Sequence, residues 1–99
     1  MQWFDDPGLA IHVTTDEAFV VVLSGNPTTG YTWHAHVDTD YLELLSQEFK
    51  PGAAAIGAGG QELFCFRAQQ PGNTIVAFEY RRPWASEPGE QRSFQVVIR

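Results

Sequence analysis

Apolar residues in this chain recur at every second position, in short runs, and proline or glycine interrupts most of the stretches between runs. A period of two puts alternate side chains on opposite faces of an extended strand, whereas a helix needs spacings of three and four. LAIHVTT aligns Leu9, Ile11 and Val13 on one face. YTWHAHV aligns Tyr31, Trp33, Ala35 and Val37 against Thr32, His34 and His36. QELFCFRA aligns Phe64, Phe66 and Ala68, TIVAFEYRR aligns Val76, Phe78 and Tyr80, and RSFQVVIR aligns Phe94, Val96 and Ile98. AFVVVLS is apolar on both faces, the pattern of a central strand. YLELLSQEF is the ambiguous segment, because Leu42, Leu45 and Phe49 also fit one helical face. It is short, lacks a strong cap and sits between strands, so it reads as a strand.

The segments NPTTG, PGAAAIGAGG, QPGN and SEPGEQ carry the turn residues, glycine for positive φ and proline for a fixed φ. Seven to eight short strands within 99 residues, with no convincing helix, imply an all-β fold. The expected architecture is an immunoglobulin-like antiparallel β-sandwich with Greek-key connections, ahead of a small closed barrel. Seven Phe, three Tyr and three Trp supply large side chains for one modest core. Cys65 is the single cysteine, so no disulfide can form within the chain and the core alone must hold the sheets. Any likeness to antibody domains is therefore architectural.

Several function classes are disfavoured. The formal net charge of −6 repels phosphate backbones, and no basic cluster offsets it, so nucleic acid is not an expected partner. No run is long and apolar enough to span a membrane as a helix, so no membrane association is expected. MQWFDDPGLA carries acids and a proline where a secretion signal needs bases followed by an apolar stretch, so no signal peptide is expected within the sequence. The compartment is cytoplasmic if Met1 is native, and periplasmic or secreted if a leader was removed. Cys65, flanked by Phe64 and Phe66, reads as packing, since no base is evident beside it. His34 and His36, with Asp38 at the same spacing, share one strand face and form the one candidate metal set. An ordinary exposed strand face accounts for them better, as it does for His12. GAGG lacks the spacing and the following helix of a dinucleotide fingerprint, and there is no Walker lysine. No enzyme, cofactor or metal is expected.

What stands out is three loops. In the first, Pro27 stiffens the chain and Gly30 permits a shape other residues resist, with Thr28 and Thr29 between them at a tip. A two-residue turn would close the strands more simply, so a stiff loop displaying small polar groups suits a contact surface, whose pre-ordering lowers the entropic cost of binding. The second, residues 51–60, is long and nearly uncharged, and such loops inside compact domains are often binding loops. The third, residues 82–90, presents Trp84 after Pro83, the composition of a binding hot spot if the ring stays outside the core. A pair of antiparallel strands separates each loop from the next, which brings all three to one end, with DE, DTD and QPGN at the other.

NPTTGY at 26–31, GAGG at 57–60 and RPW at 82–84, in that order and at that spacing, resemble the chagasin family of cysteine-protease inhibitors. The strand pattern between the motifs matches over nearly the whole chain. The resemblance implies a single inhibitor domain over residues 1–99 that acts reversibly and without covalent chemistry on papain-like proteases. It implies a wedge of three adjacent loops (26–31, 51–60 and 82–90) that occludes the active-site cleft. Asn26, Pro27, Thr28, Thr29, Gly30 and Tyr31 would form its centre, with Thr29 closest to the catalytic cysteine and histidine. Gly57, Ala58, Gly59 and Gly60 would run along one side of the cleft, and Trp84 would pack on the other, supported by Arg82 and Pro83. A monomer suffices, since the wedge is complete in one chain. The alternatives are a cell-surface or carbohydrate-recognition module using Trp3, Trp33 or Trp84, and a metal or enzymatic domain using His34, His36 and Asp38.

Overall fold

A computed structural model describes residues 1–52, 59–86 and 89–99. Eight strands follow in chain order: β1 (Gln2–Phe4), β2 (Ile11–Val13), β3 (Ala18–Gly25), β4 (Thr32–His36), β5 (Leu42–Pro51), β6 (Gly60–Ala68), β7 (Gly72–Arg81) and β8 (Glu90–Ile98). They form two four-stranded sheets, β1-β3-β6-β5 and β2-β8-β7-β4. The ambiguous segment is the ten-residue strand β5, with a bulge between Leu44 and Ser46. The bulge leaves both Leu44 and Leu45 largely exposed.

The faces expected from alternation are the faces that pack. Phe19, Val21, Leu23, Leu42, Phe64, Phe66 and Ala68 from the first sheet meet Ile11, Val13, Trp33, Val76, Phe78, Phe94, Val96 and Ile98 from the second in one buried cluster. Phe78 is its hinge, with ring centroids 4.9 Å from Phe64 and 5.8 Å from Phe94, both edge-to-face. Edge-to-face pairs place a ring's positive rim on its neighbour's negative face. Each fully buried Val, Leu, Ile or Phe contributes about 1.5–3 kcal/mol by leaving water, which lets so small a chain fold without a disulfide. β3 is central, as its two apolar faces implied. Val20 and Val22 form a second cluster with Leu63 on the outer face, and Cys65 packs against it.

Three local features differ from the sequence expectation. β1 is an added strand that pairs parallel with β3, and β2 pairs parallel with β8, so each otherwise antiparallel sheet carries one short parallel edge. Leu9 lies outside β2 in a turn closed by Leu9 N–H on the Asp6 carbonyl, and stays exposed. The strand pairs that separate the loops do not lie side by side: β4 and β5 belong to opposite sheets, as do β6 and β7. Each such pair still returns the chain to the end it left. At the far end the three short connections interlock, with Gln69 N–H on the Tyr41 carbonyl, Asp16 N–H on the Ala68 carbonyl and Gln69 Nε2 on the Thr39 carbonyl.

Candidate functional site

The other end of the sandwich gathers the three loops. Gly25, the last residue of β3, stands in register with Gly60, and Pro51 pairs Gly60 from the other side, so the first two loops leave neighbouring strands. Thr32 pairs Arg81 and Tyr80 pairs Glu90, which brings the third loop beside the first in the opposite sheet. Asn26 N–H donates to the Tyr80 hydroxyl at 3.0 Å. The Arg82 guanidinium lies 4.8 Å from the Tyr31 ring centroid, and the Tyr31 and Tyr80 rings stack at 5.4 Å. Aromatic side chains thus join the first loop to the third.

The first loop is held from within. Pro27–Thr29 form a single turn of 3-10 helix. Asn26 Oδ1 accepts from Thr28 N–H at 3.2 Å and from the Thr28 hydroxyl at 2.6 Å, the side-chain turn that asparagine makes with residues just ahead of it. The Asn26 carbonyl accepts from Thr29 N–H at 3.2 Å and from the Thr29 hydroxyl at 2.7 Å. Both hydroxyl hydrogens are engaged inside the loop, so the exposed tip offers methyl groups and oxygen lone pairs outward. Gly30 then takes φ +84°, a backbone shape costly for any residue with a Cβ. A Cβ placed there would stand 3.4 Å from Trp84 Cη2, so the tryptophan edge rests against a bare glycine.

Trp84 is 76% exposed, and the turn that presents it is closed by Ala85 N–H on the Arg82 carbonyl. Of the second loop, Gly59 and Gly60 are described, while Gly57 and Ala58 lie outside the described residues, as do residues 87–88 of the third. Gly52 N–H donates to the Gly59 carbonyl at 3.1 Å and closes the base of that loop. A shallow notch opens between the first two loops, lined by Ser24, Gly25, Asn26, Gly52, Gly59, Gly60, Gln61 and Tyr80. With five of these eight residues lacking more than a short side chain, the backbone there is open to close approach by another chain.

Other candidates from the sequence are scattered. Trp33 is fully buried, so it offers no sugar-stacking face, though Trp3 and Trp84 are exposed. His36 Nε2 lies 3.7 Å from Glu79, and His34 Nε2 lies 3.3 Å from the Thr32 hydroxyl. Among the described residues no three His, Cys, Asp or Glu groups stand together as metal ligands. Cys65 Sγ rests 3.9 Å from Met1 Sδ.

Sequence reasoning missed Glu62. It is the one buried charged residue among those described, directly beneath the loops. Its carboxylate accepts from Trp33 N–H at 3.2 Å and 3.4 Å. Burial pushes its carboxyl above the ordinary range, and the donors on Trp33 and Gln47 offset part of that push. A carboxyl raised by folding stabilises the folded state fully only below its unfolded value, near pH 4, and that stability is lost as pH rises through the raised folded value. Glu62→Gln should therefore gain melting temperature relative to wild type as pH rises above about 4, with the gain levelling off once the raised folded value is passed. Thermal denaturation of both proteins from pH 4 to 8 checks this, and a difference constant across that range would contradict it.

The sequence profile described as Chagasin family peptidase inhibitor matches residues 12–98. Amoebiasin-1 of Entamoeba histolytica is 30% identical over 99 residues, covering 95% of this chain and 92% of its own. Chagasin of Trypanosoma cruzi is 28% identical over 98 residues, covering 93% and 89%. In structure, the cysteine protease inhibitor EhICP2 from Entamoeba histolytica superposes with a TM-score of 0.85 at 24% identity, over 99% of this chain and 95% of that one. PbICP-C, solved in complex with falcipain-2, superposes with a TM-score of 0.57 at 16% identity, over 97% and 87%. The relatives are inhibitors rather than enzymes, and with a profile that spans most of its length this chain belongs to the chagasin family of peptidase inhibitors.

Proposed function

We propose that one domain spanning residues 1–99 inhibits papain-like cysteine proteases reversibly, by seating its three-loop end in their active-site cleft. The observation that carries this reading is the meeting of three loop bases at one end of the sandwich: NPTTG and RPW are joined through Tyr80, Tyr31 and Gly30, and Gly59 and Gly60 of the glycine loop lie beside Gly25. Thr28 and Thr29 form the leading edge and face the catalytic cysteine and histidine. Gly57, Ala58, Gly59 and Gly60 flank one side, open to backbone pairing with an extended protease segment. Trp84 flanks the other and packs on apolar protease surface, with Arg82 and Pro83 behind it. An interface of roughly 800 Å² on each partner is within reach of such a surface.

A loop laid across a catalytic centre must resist cleavage. Proteases of this class cut extended chains, whereas Pro27–Thr29 is coiled into a helical turn and the Asn26 carbonyl already accepts two hydrogen bonds. Prolonged incubation with excess papain should leave the segment from Asn26 to Tyr31 intact by mass spectrometry, and rapid cleavage there would refute this account. The function itself is tested by titrating active-site-calibrated papain with the protein. Tight one-to-one inhibition is expected. Its absence, against papain and a small panel of cathepsins, would overturn the proposal.

A further inference from the structure

Trp33 ties the two sheets together beside the first loop. It sits in β4, the edge strand of its sheet, which pairs with β7 alone. On its other side the backbone of Trp33 meets two side chains instead of a strand. Glu62, on β6 of the opposite sheet, accepts from its N–H, and Gln47, on β5, donates from Nε2 to its carbonyl at 3.3 Å. The indole Nε1–H reaches the Ser24 carbonyl on β3 at 2.9 Å. One residue of the second sheet is thereby bonded to three strands of the first.

The position of this brace matters. Trp33 follows the first loop by two residues, and Ser24 and Gly25 precede it. A Cβ on Gly25 would stand 2.8 Å from Glu62 Oε2, so the carboxylate passes against bare backbone at one foot of the loop to reach the other. The Trp33 ring is packed between Tyr80 at 4.8 Å and the Arg92 guanidinium at 5.4 Å, which extends the brace to β7 and β8. A buried carboxylate is a poor device for stability alone, since desolvation opposes it and an apolar side chain of similar size often serves as well or better.

We infer that Glu62, with Gln47, is a positioning residue of the inhibitory wedge: the pair fixes both feet of the first loop and the spacing of the two sheets beneath it, and so sets where Thr28 and Thr29 stand relative to Trp84. The inference rests on the inhibitory reading above. Glu62→Gln keeps an acceptor for Trp33 N–H, while Glu62→Met keeps the length and removes it. Inhibition constants against papain are measured at a temperature where circular dichroism shows each variant fully folded, a readout that a merely stabilising residue would not move. Glu62→Gln should stay within about threefold of wild type and Glu62→Met should weaken inhibition about tenfold or more, in the range of losing a hydrogen bond to a buried group. Gln47→Met repeats the test should Glu62→Met fail to fold, with weakening again expected. Backbone amide shifts from Ser24 to Trp33 give a readout without protease, and Glu62→Met should move those of Thr28, Thr29 and Gly30 as well as that of Trp33. Folded Glu62→Met or Gln47→Met with wild-type inhibition and loop shifts unchanged beyond Trp33 would overturn the inference. Failure of wild type to inhibit any protease would instead overturn the inhibitory reading, leaving the amide shifts to decide whether the brace sets the loop.

Discussion

Thr29→Arg should weaken inhibition of papain by about 3 kcal/mol, a little over a hundredfold, while leaving the protein folded. Thr29 lies exposed at the end of the 3-10 turn, with its hydroxyl on the Asn26 carbonyl. Losing that bond costs the fold about 1 kcal/mol, which a core of this size tolerates. In the proposed complex the same side chain would sit closest to the catalytic cysteine and histidine. Arginine there adds four heavy-atom lengths and a charge that must shed water, and the tip can no longer seat. Steady-state inhibition constants read the loss, and circular dichroism guards against unfolding. A folded Thr29→Arg protein with wild-type potency would move the centre of the contact away from this loop.

Trp84→Ala is the second large effect. An indole 76% exposed in the free protein has most of its surface left to bury in a complex. Tryptophans that become buried in this way are typical anchors, and truncation should cost about 2 kcal/mol or more, near thirtyfold in the inhibition constant. The loss should lie chiefly in faster dissociation, as it does for most interface truncations. Stability should change little, because the fold leaves most of the ring in water. Stopped-flow displacement separates the two rates. An unchanged dissociation rate would mean that this side of the wedge stays in water, and that the apolar tip serves another partner.

How much of this was legible in the residues follows from where each signal resides. Strand faces are local, and every second residue of AFVVVLS, QELFCFRA and RSFQVVIR reports its own face. Loop adjacency was legible by counting strand directions, and it survived although β4 and β5 fall in different sheets. The parallel pairings were not legible, because β1 and β2 each have three paired residues and no turn links them to their partners. Leu9 misled because its spacing fits Ile11 and Val13 while the Asp6–Leu9 turn ends the alternation. Glu62 had a readable signal: it lies two residues before Phe64 and so on the inward face. Its partner could not be read, since that depends on where the edge of the opposite sheet falls. The three loops carried their motifs openly, and Tyr80, through which the first joins the third, appeared only as a core position.

The loops also differ in what they connect. The second joins β5 to β6 and the third joins β7 to β8, each within one sheet, whereas the first carries the chain from β3 in one sheet to β4 in the other. A hairpin tip can gain or lose residues while its strands stay in register, because loop length enters the closure entropy only weakly. Shortening the crossing has no such licence, as it would draw one sheet against the other across the Phe64–Phe78 contact. The inhibitor is thus modular. On the proposed docking, its reach into a cleft is built into the frame, and its choice among proteases would be retuned on either flank by grafting a different hairpin onto an unaltered body.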